Sequence, residues 1–312
     1  MRAFGLVGGG SVFPCACLRQ NLPRSGLPDM FGDLHLHTRH SDGTFTPQEL
    51  VERAAKAGLH TIALTDHDTL EGCEEAAAAA AAHGLEFVVG TELTAEEQGV
   101  EIHILGYFLD SENPALLETT GRLQQARIQR IYEMCDRLKV HGAPVDPALV
   151  FEIARCRAPG RPHVARAMVK AQACASLDEA FTQFLQKGGP GWAPKSRISL
   201  EEALALIHGA GGLAVFAHPA LSRRDDLIPR LKEMGLDGLE CYHSKHRGAD
   251  AKRYTRLARE HDLLITGGSD CHGFSRRAPL IGTVMLHEGH LRRFLEAGGR
   301  PAPEHTPGDV KE

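Results

Sequence analysis

Asp33-Leu34-His35-Leu36-His37 ends an apolar run with two histidines two positions apart. Along an extended strand, side chains at i and i+2 share a face, so both imidazoles can point one way. Such a pair suits a borderline divalent cation, although exposed or hydrogen-bonded histidines give the same spacing. Ser41-Asp42-Gly43-Thr44 follows, where Asp42 is either a further ligand or the cap of a turn. The combination recurs. Thr65-Asp66-His67-Asp68 ends a second β-rich run and Gly90-Thr91-Glu92 a third, while His103 sits within a fourth, VEIHILGYF. Far downstream, GLAVFAHP ends on His218 and DGLECYH on His243. LLITGGSDCHG then carries Asp270 and His272 at i and i+2 in a glycine-flanked loop.

Each of these has an ordinary explanation. Aspartate favours helix caps, and a histidine in an apolar run is often a hydrogen-bonded core residue. Those explanations would have to coincide at one strand end after another. Metal chemistry accounts for them together, because closely spaced divalent cations need carboxylates to balance charge and imidazoles to complete coordination. The supply is His35, His37, His67, His103, His218 and His272 with Asp42, Asp270 and Glu92, a natural set for two or three ions.

From residue 31 onward, β-rich runs alternate with helical patterns, which predicts an α/β fold with parallel strands. Strands are expected at 32–37, 60–66, 85–92, 100–108, 212–218, 237–243 and 263–270, with an eighth at 281–286. Thr46-Pro47-Gln48-Glu49 is a capping box with proline at the first helical position, and that helix stops at Gly58. The alanine-rich run from Glu74 to Ala82 is a helix ending at His83-Gly84. Residues 111–195 break the rhythm with a long helical stretch over 114–140, shorter helical segments and no strand. So many strands favour a closed barrel over an open sheet, and barrels keep their chemistry at the C-terminal ends of their strands. The expected organisation is an extension over 1–29, the first part of the barrel over 30–110, and a helical insertion over 111–195 that caps the substrate. The second part of the barrel follows over 196–298 and a tail over 299–312.

The 312 residues are 42% hydrophobic and 24% charged, ordinary for a globular chain. A formal charge of −5 offers no broad basic face for long nucleic acid and leaves only local patches to hold phosphates. The 8 cysteines form no CxxC pair, which suits reduced thiols and a cytoplasmic location. No apolar run reaches the roughly 18 residues of a membrane span, and no obligate protein partner is evident. Residues 1–29 imitate an export signal weakly, but three glycines and a proline break their apolar run. They read as a disordered extension, or as chain upstream of a true start at Met30.

HxH followed by SDG, then TDHD, a strand-end Glu, IHILGY, AHP and GSDCHG occur here in one order. In that order they resemble the PHP (polymerase and histidinol phosphatase) phosphoesterases, over roughly residues 31–287. The resemblance implies a distorted (β/α)7 TIM-like barrel with two or three divalent ions, manganese expected, iron or zinc as alternatives. It implies that His35, His37, Glu92 and Asp270 hold the first ion. Glu92 would bridge to a second, completed by His103 and His218, and Asp42, His67 and His272 would hold a third. Gly160-Arg161-Pro162-His163-Val164-Ala165-Arg166 is similar to the segment that brings basic side chains over the metals in the nucleotide-hydrolysing branch. By that likeness Arg161, His163 and Lys195 would hold phosphate oxygens, and His243 would contact phosphate or donate a proton.

A phosphate dianion repels a nucleophile, so the metals would neutralise it while a hydroxide between the first two attacks phosphorus. The activity expected is hydrolysis of small phosphate esters, namely nucleotides such as 3′,5′-nucleoside bisphosphates or monophosphates, or of short oligonucleotide ends. Histidinol phosphatase and 5′–3′ exonuclease are the enzymatic alternatives. A non-catalytic PHP module is disfavoured by the complete ligand set.

Overall fold

A computed structural model of the chain describes residues 30–274 and 278–300. The expectations for residues 1–29 and for nearly all of the tail lie outside these residues.

Three strands, β1 (Phe31–Leu36), β2 (Thr61–Leu64) and β3 (Glu86–Glu97), pair in parallel through two helical crossovers. Thr46 Oγ1 accepts the Glu49 amide at 3.0 Å and the Glu49 carboxylate accepts the Thr46 amide at 2.9 Å. The helix Pro47–Lys56 therefore starts on a complete capping box, and the alanine-rich helix spans Cys73–Ala82. Leu50, Val51, Ala54, Ala76 and Ala80 on these helices join the strands in one buried core.

At this point the parallel rule fails. β4 (Val100–Tyr107) runs antiparallel to β3, because only Gln98 and Gly99 separate the paired residues Glu97 and Val100. Both turn residues have positive φ, 52° and 77°, the geometry of a type I′ hairpin. A two-residue link cannot bring a strand back in parallel. The same hairpin corrects the end of the third strand, which runs past Glu92 to Glu97.

β5 (Ile198–Ser199) adds two residues beside β3, and β6 (Leu213–Phe216) pairs antiparallel with β4. β7 (Gly238–His243) and β8 (Leu264–Gly268) then continue in parallel. The strand expected at 281–286 shrinks to β9 (Leu286–His287), antiparallel to β1. A turn takes the rest, with the Thr283 amide on the Leu280 carbonyl and Gly282 at positive φ. The fold is a mixed α/β barrel, nearly closed, with seven strands of four residues or more among the described residues.

Closure runs between β1 and the residues after β8. The Asp270 amide donates to the His35 carbonyl at 2.9 Å and the His37 amide to the Cys271 carbonyl at 3.1 Å. Buried Asp33 ties the same seam, accepting the Ser269 amide at 2.8 Å. Between β4 and β6, residues 111–195 form helices Pro114–Val140, Pro147–Ala154 and Arg161–Lys170, with shorter helical turns and no strand. Ile131, Met134, Leu138, Val150, Val164 and Met168 give this segment a core of its own. Among the described residues no helix is long and apolar enough to cross a membrane.

The seam predicts a test. A methyl group added at Gly268 would sit 2.4 Å from the His35 backbone nitrogen and Cβ. Gly268→Ala should therefore lower the unfolding free energy by about 1–3 kcal/mol in urea titration, the usual range for overpacking. An unchanged midpoint would show that the seam is looser than described.

Candidate metal centre

At the C-terminal end of β1, His35 and His37 turn the same way, as alternation requires. Their Nε2 atoms each lie 3.4 Å from Glu92 Oε2, and 3.6 and 3.2 Å from Asp270 Oδ1. The other Glu92 oxygen faces His103 Nδ1 at 2.6 Å and His218 Nε2 at 2.9 Å. His67 Nδ1 comes within 2.9 Å of Glu92 Oε2, and His272 Nε2 within 3.1 Å of Asp42 Oδ1. All nine side chains singled out as ligands thus fall into overlapping groups whose candidate donor atoms lie within 4.8 Å of one another.

His103 arrives by a route that the strand-end rule does not describe. Across the hairpin it faces Thr94, two residues beyond Glu92, so Glu92, Thr94, Glu101 and His103 share the inward face. It reaches the cluster from the middle of an antiparallel strand.

The donor set fits divalent cations. His35 Nε2, both nitrogens of His37, Asp42 Oδ1, His67 Nδ1 and Glu92 Oε2 are buried with no hydrogen-bond partner among the described residues. An unsatisfied buried polar atom costs about 1–3 kcal/mol, and several converging on one space point to a shared ligand. Separations of 3–4 Å are what donors about 2.1 Å from a common ion produce. Burial works to raise Glu92 and Asp270, but the surrounding imidazoles outweigh it and hold both well below the usual carboxylate range. Burial, followed by the charge of His272, pushes His37 down to about 3. His103 moves the other way: the carboxylates of Glu92 and Glu101 overcome burial and raise it to about 9.

Glu240 escaped the sequence reading. Fully buried on β7, it accepts His35 Nδ1 at 2.9 Å and the His218 backbone amide at 2.6 Å. One carboxylate thereby orients residues of two groups, and the visible signal was a glutamate in the apolar run GLECY. His243 lies beside it. Its Nδ1 accepts the Lys245 amide at 3.1 Å, which places the ring proton on Nε2 when the ring is neutral. That nitrogen stands 3.3 Å from Asp270 Oδ2, buried and without an aligned acceptor.

The basic side chains of the insertion meet the hairpin beside this cluster. Lys195 Nζ is 3.6 Å from Glu101, whose carboxylate is 2.9 Å from His103 Nε2. Burial and the nearby charge of Arg127 push Lys195 down to about 8. Arg161 donates to the Leu185 carbonyl at 3.3 Å, and His163 is buried with Nδ1 accepting the Gly160 amide at 3.0 Å. His163 therefore serves its own helix start with one nitrogen. Two arginines were missed, Arg127 and Arg130, both buried on the inner face of Pro114–Val140. Their spacing of three on the face that also carries Leu116, Leu123, Ile131 and Met134 was the available signal.

The PHP domain model matches residues 33–145. The chain is 36% identical to the 3′,5′-nucleoside bisphosphate phosphatase of Chromobacterium violaceum, over 77% of this chain and 86% of that one. It is 33% identical to a 5′-3′ exoribonuclease of Haemophilus influenzae, over 77% and 89% of the two chains. A Bifidobacterium adolescentis structure described as a metal-dependent phosphoesterase superposes with a TM-score of 0.79 at 35% identity, covering 85% of this chain and 95% of that one.

Glu240→Gln keeps the size of the side chain but removes the charge that His35 and the His218 amide share. Divalent-ion affinity should fall about 10- to 100-fold, as for other residues that orient ligands. Calorimetric titration of the stripped protein measures it, and wild-type affinity would refute the orienting role.

Proposed function

The chain belongs to the PHP family of metal-dependent phosphoesterases, and from that premise we propose that its substrate is a nucleoside 3′,5′-bisphosphate. The reading is carried by the cations packed beside the cluster. Arg130 is buried, held by the Ala193 carbonyl at 3.0 Å, and no carboxylate pairs with it among the described residues. Burial, then the charges of Arg161 and Arg127, push it down to about 10. Buried cations that repel one another next to a cluster for one phosphate favour a substrate that carries a second. The relative from Chromobacterium violaceum, named for such a substrate, supports the same choice.

His35, His37, Glu92 and Asp270 would hold a first divalent ion, Glu92, His103 and His218 a second, and Asp42, His67 and His272 a third. We take manganese for all three from the family resemblance; the carboxylates suit it, and the imidazoles suit iron or zinc as well. The ions would neutralise the reacting phosphate and make water a competent nucleophile near neutral pH. Lys195, Arg161 and Arg130 would grip the phosphate that does not react, while His163 lines the same side. His243, with its proton on Nε2 and no aligned acceptor, would donate a hydrogen bond to an oxygen of the reacting phosphate.

With added manganese, kcat/KM for phosphate release from a 3′,5′-bisphosphate should exceed that from the 5′-monophosphate and from histidinol phosphate at least tenfold. A chelator should abolish it. Equal rates on mono- and bisphosphate would sink the substrate assignment, and faster release of nucleotides from 5′-phosphorylated RNA would favour the activity named for the Haemophilus relative. In the same assay His243→Asn should slow hydrolysis of the nucleotide and of p-nitrophenyl phosphate alike, by about 100-fold. A loss confined to the nucleotide would remove His243 as a phosphate contact.

Lys195 supplies a pH test. With its ammonium at about 8, the cation is present below that pH and lost above it. KM for the bisphosphate should therefore rise as pH climbs from 7 to 9, and Lys195→Arg should flatten the rise. A wild-type KM constant over that range would exclude Lys195 from the phosphate contact.

A further inference from the structure

In the Asp42–His67–His272 group, the backbone of Asp42 and the residue after His67 are held from outside the barrel. Asp68, directly after His67, sits at φ 52° with its carboxylate buried. That carboxylate accepts Arg127 Nε at 2.8 Å, Arg127 Nη2, and the Thr94 amide at 2.9 Å. Its backbone carbonyl accepts Gln124 Nε2 at 3.2 Å. Gln124 and Arg127 are one turn apart on Pro114–Val140, so a single helix face pins the peptide that follows His67. A second helix, Arg161–Lys170, reaches the other ligand: Arg166 Nη2 donates to the Asp42 carbonyl at 3.1 Å. Beside it, Cys156 Sγ lies 3.2 Å from the Ser41 carbonyl.

The other groups are braced differently. His35 and His218 are oriented by Glu240 of the barrel itself. Among the described residues, the insertion reaches them through a relay at its far end, from Lys195 to Glu101 and on to His103.

We propose that the helical insertion positions the third cation group, Gln124 and Arg127 acting on His67 through Asp68, and Arg166 acting on Asp42 through its carbonyl. Arg127, Gln124 and Arg166 are positioning residues and touch no ion themselves. Docking of the insertion and filling of the third site are then coupled, and a phosphate gripped beneath the insertion tightens that ion by the same factor by which the ion tightens the phosphate. The inference rests on the metal reading given under the proposed function.

Manganese binding to the stripped full-length protein, followed by calorimetry and by metal content after gel filtration, tests both. Asp42→Asn supplies the signature of a lost third ion. Arg166→Met is half-buried and leaves no unpaired charge, and the double variant Arg127→Met/Asp68→Asn removes both members of the buried pair together. Each should weaken one equivalent of manganese at least tenfold and leave the other two at wild-type affinity. Retention of all equivalents at wild-type affinity, or a parallel loss of every equivalent, would overturn the inference while the metal reading stands. Wild type that holds no third ion overturns the reading and the inference together.

Discussion

Glu92 is a fully buried carboxylate met by five imidazoles drawn from β1, β4 and the ends of β2 and β6. A charge in that position is expensive unless opposite charge or strong donors surround it. The chain answers with histidines brought from positions far apart in the sequence, and every one must be delivered within about 3–4 Å of one residue. Barrel closure, the hairpin and the buried supporting carboxylates can all be understood as ways of meeting that demand.

The barrel supplies convergence because parallel strands end on one rim. Its departures from regularity are where the site is made. The two-residue turn at Gln98-Gly99 reverses β4 and carries β3 beyond the rim, so that His103 comes back toward Glu92 instead of pointing away. The β1 seam brings Asp270 beside His35 and His37 through backbone pairing that tolerates no Cβ at Gly268. A regular eight-fold alternation would have neither feature.

The insertion has a separate apolar core, yet its polar face is spent on the site's edge. Arg127 neutralises Asp68, Arg166 holds the Asp42 loop, Lys195 faces Glu101, and Arg130 lies buried near Arg161 and Arg127 with no carboxylate paired to it among the described residues. Those cations repel one another and are partly dehydrated, a state that an anionic ligand relieves. On the proposed reading, substrate choice is tied to how two helices pack, while the phosphoester chemistry of the family is tied to the barrel.

Much of this was legible before any fold was known. The HxH pair, TDHD, Glu92, His218 and the Asp270–His272 pair could be picked out because strand periodicity and strand ends are local properties. Thr46 and Glu49 announced their helix for the same reason. Glu240, Arg127 and Arg130 were passed over, since each looks like an isolated charge in an apolar pattern until its partner appears across the barrel. The reversal at Gln98-Gly99 was also missed, and with it the true reach of β3. Local sequence determined which side chains of metal-binding type stand on which elements, because propensity, alternation and capping act over a few residues. Which of them meet, which carboxylate braces them and which arginines lean over them were decided only by tertiary packing, because burying a charge is settled by partners that lie tens to hundreds of residues away.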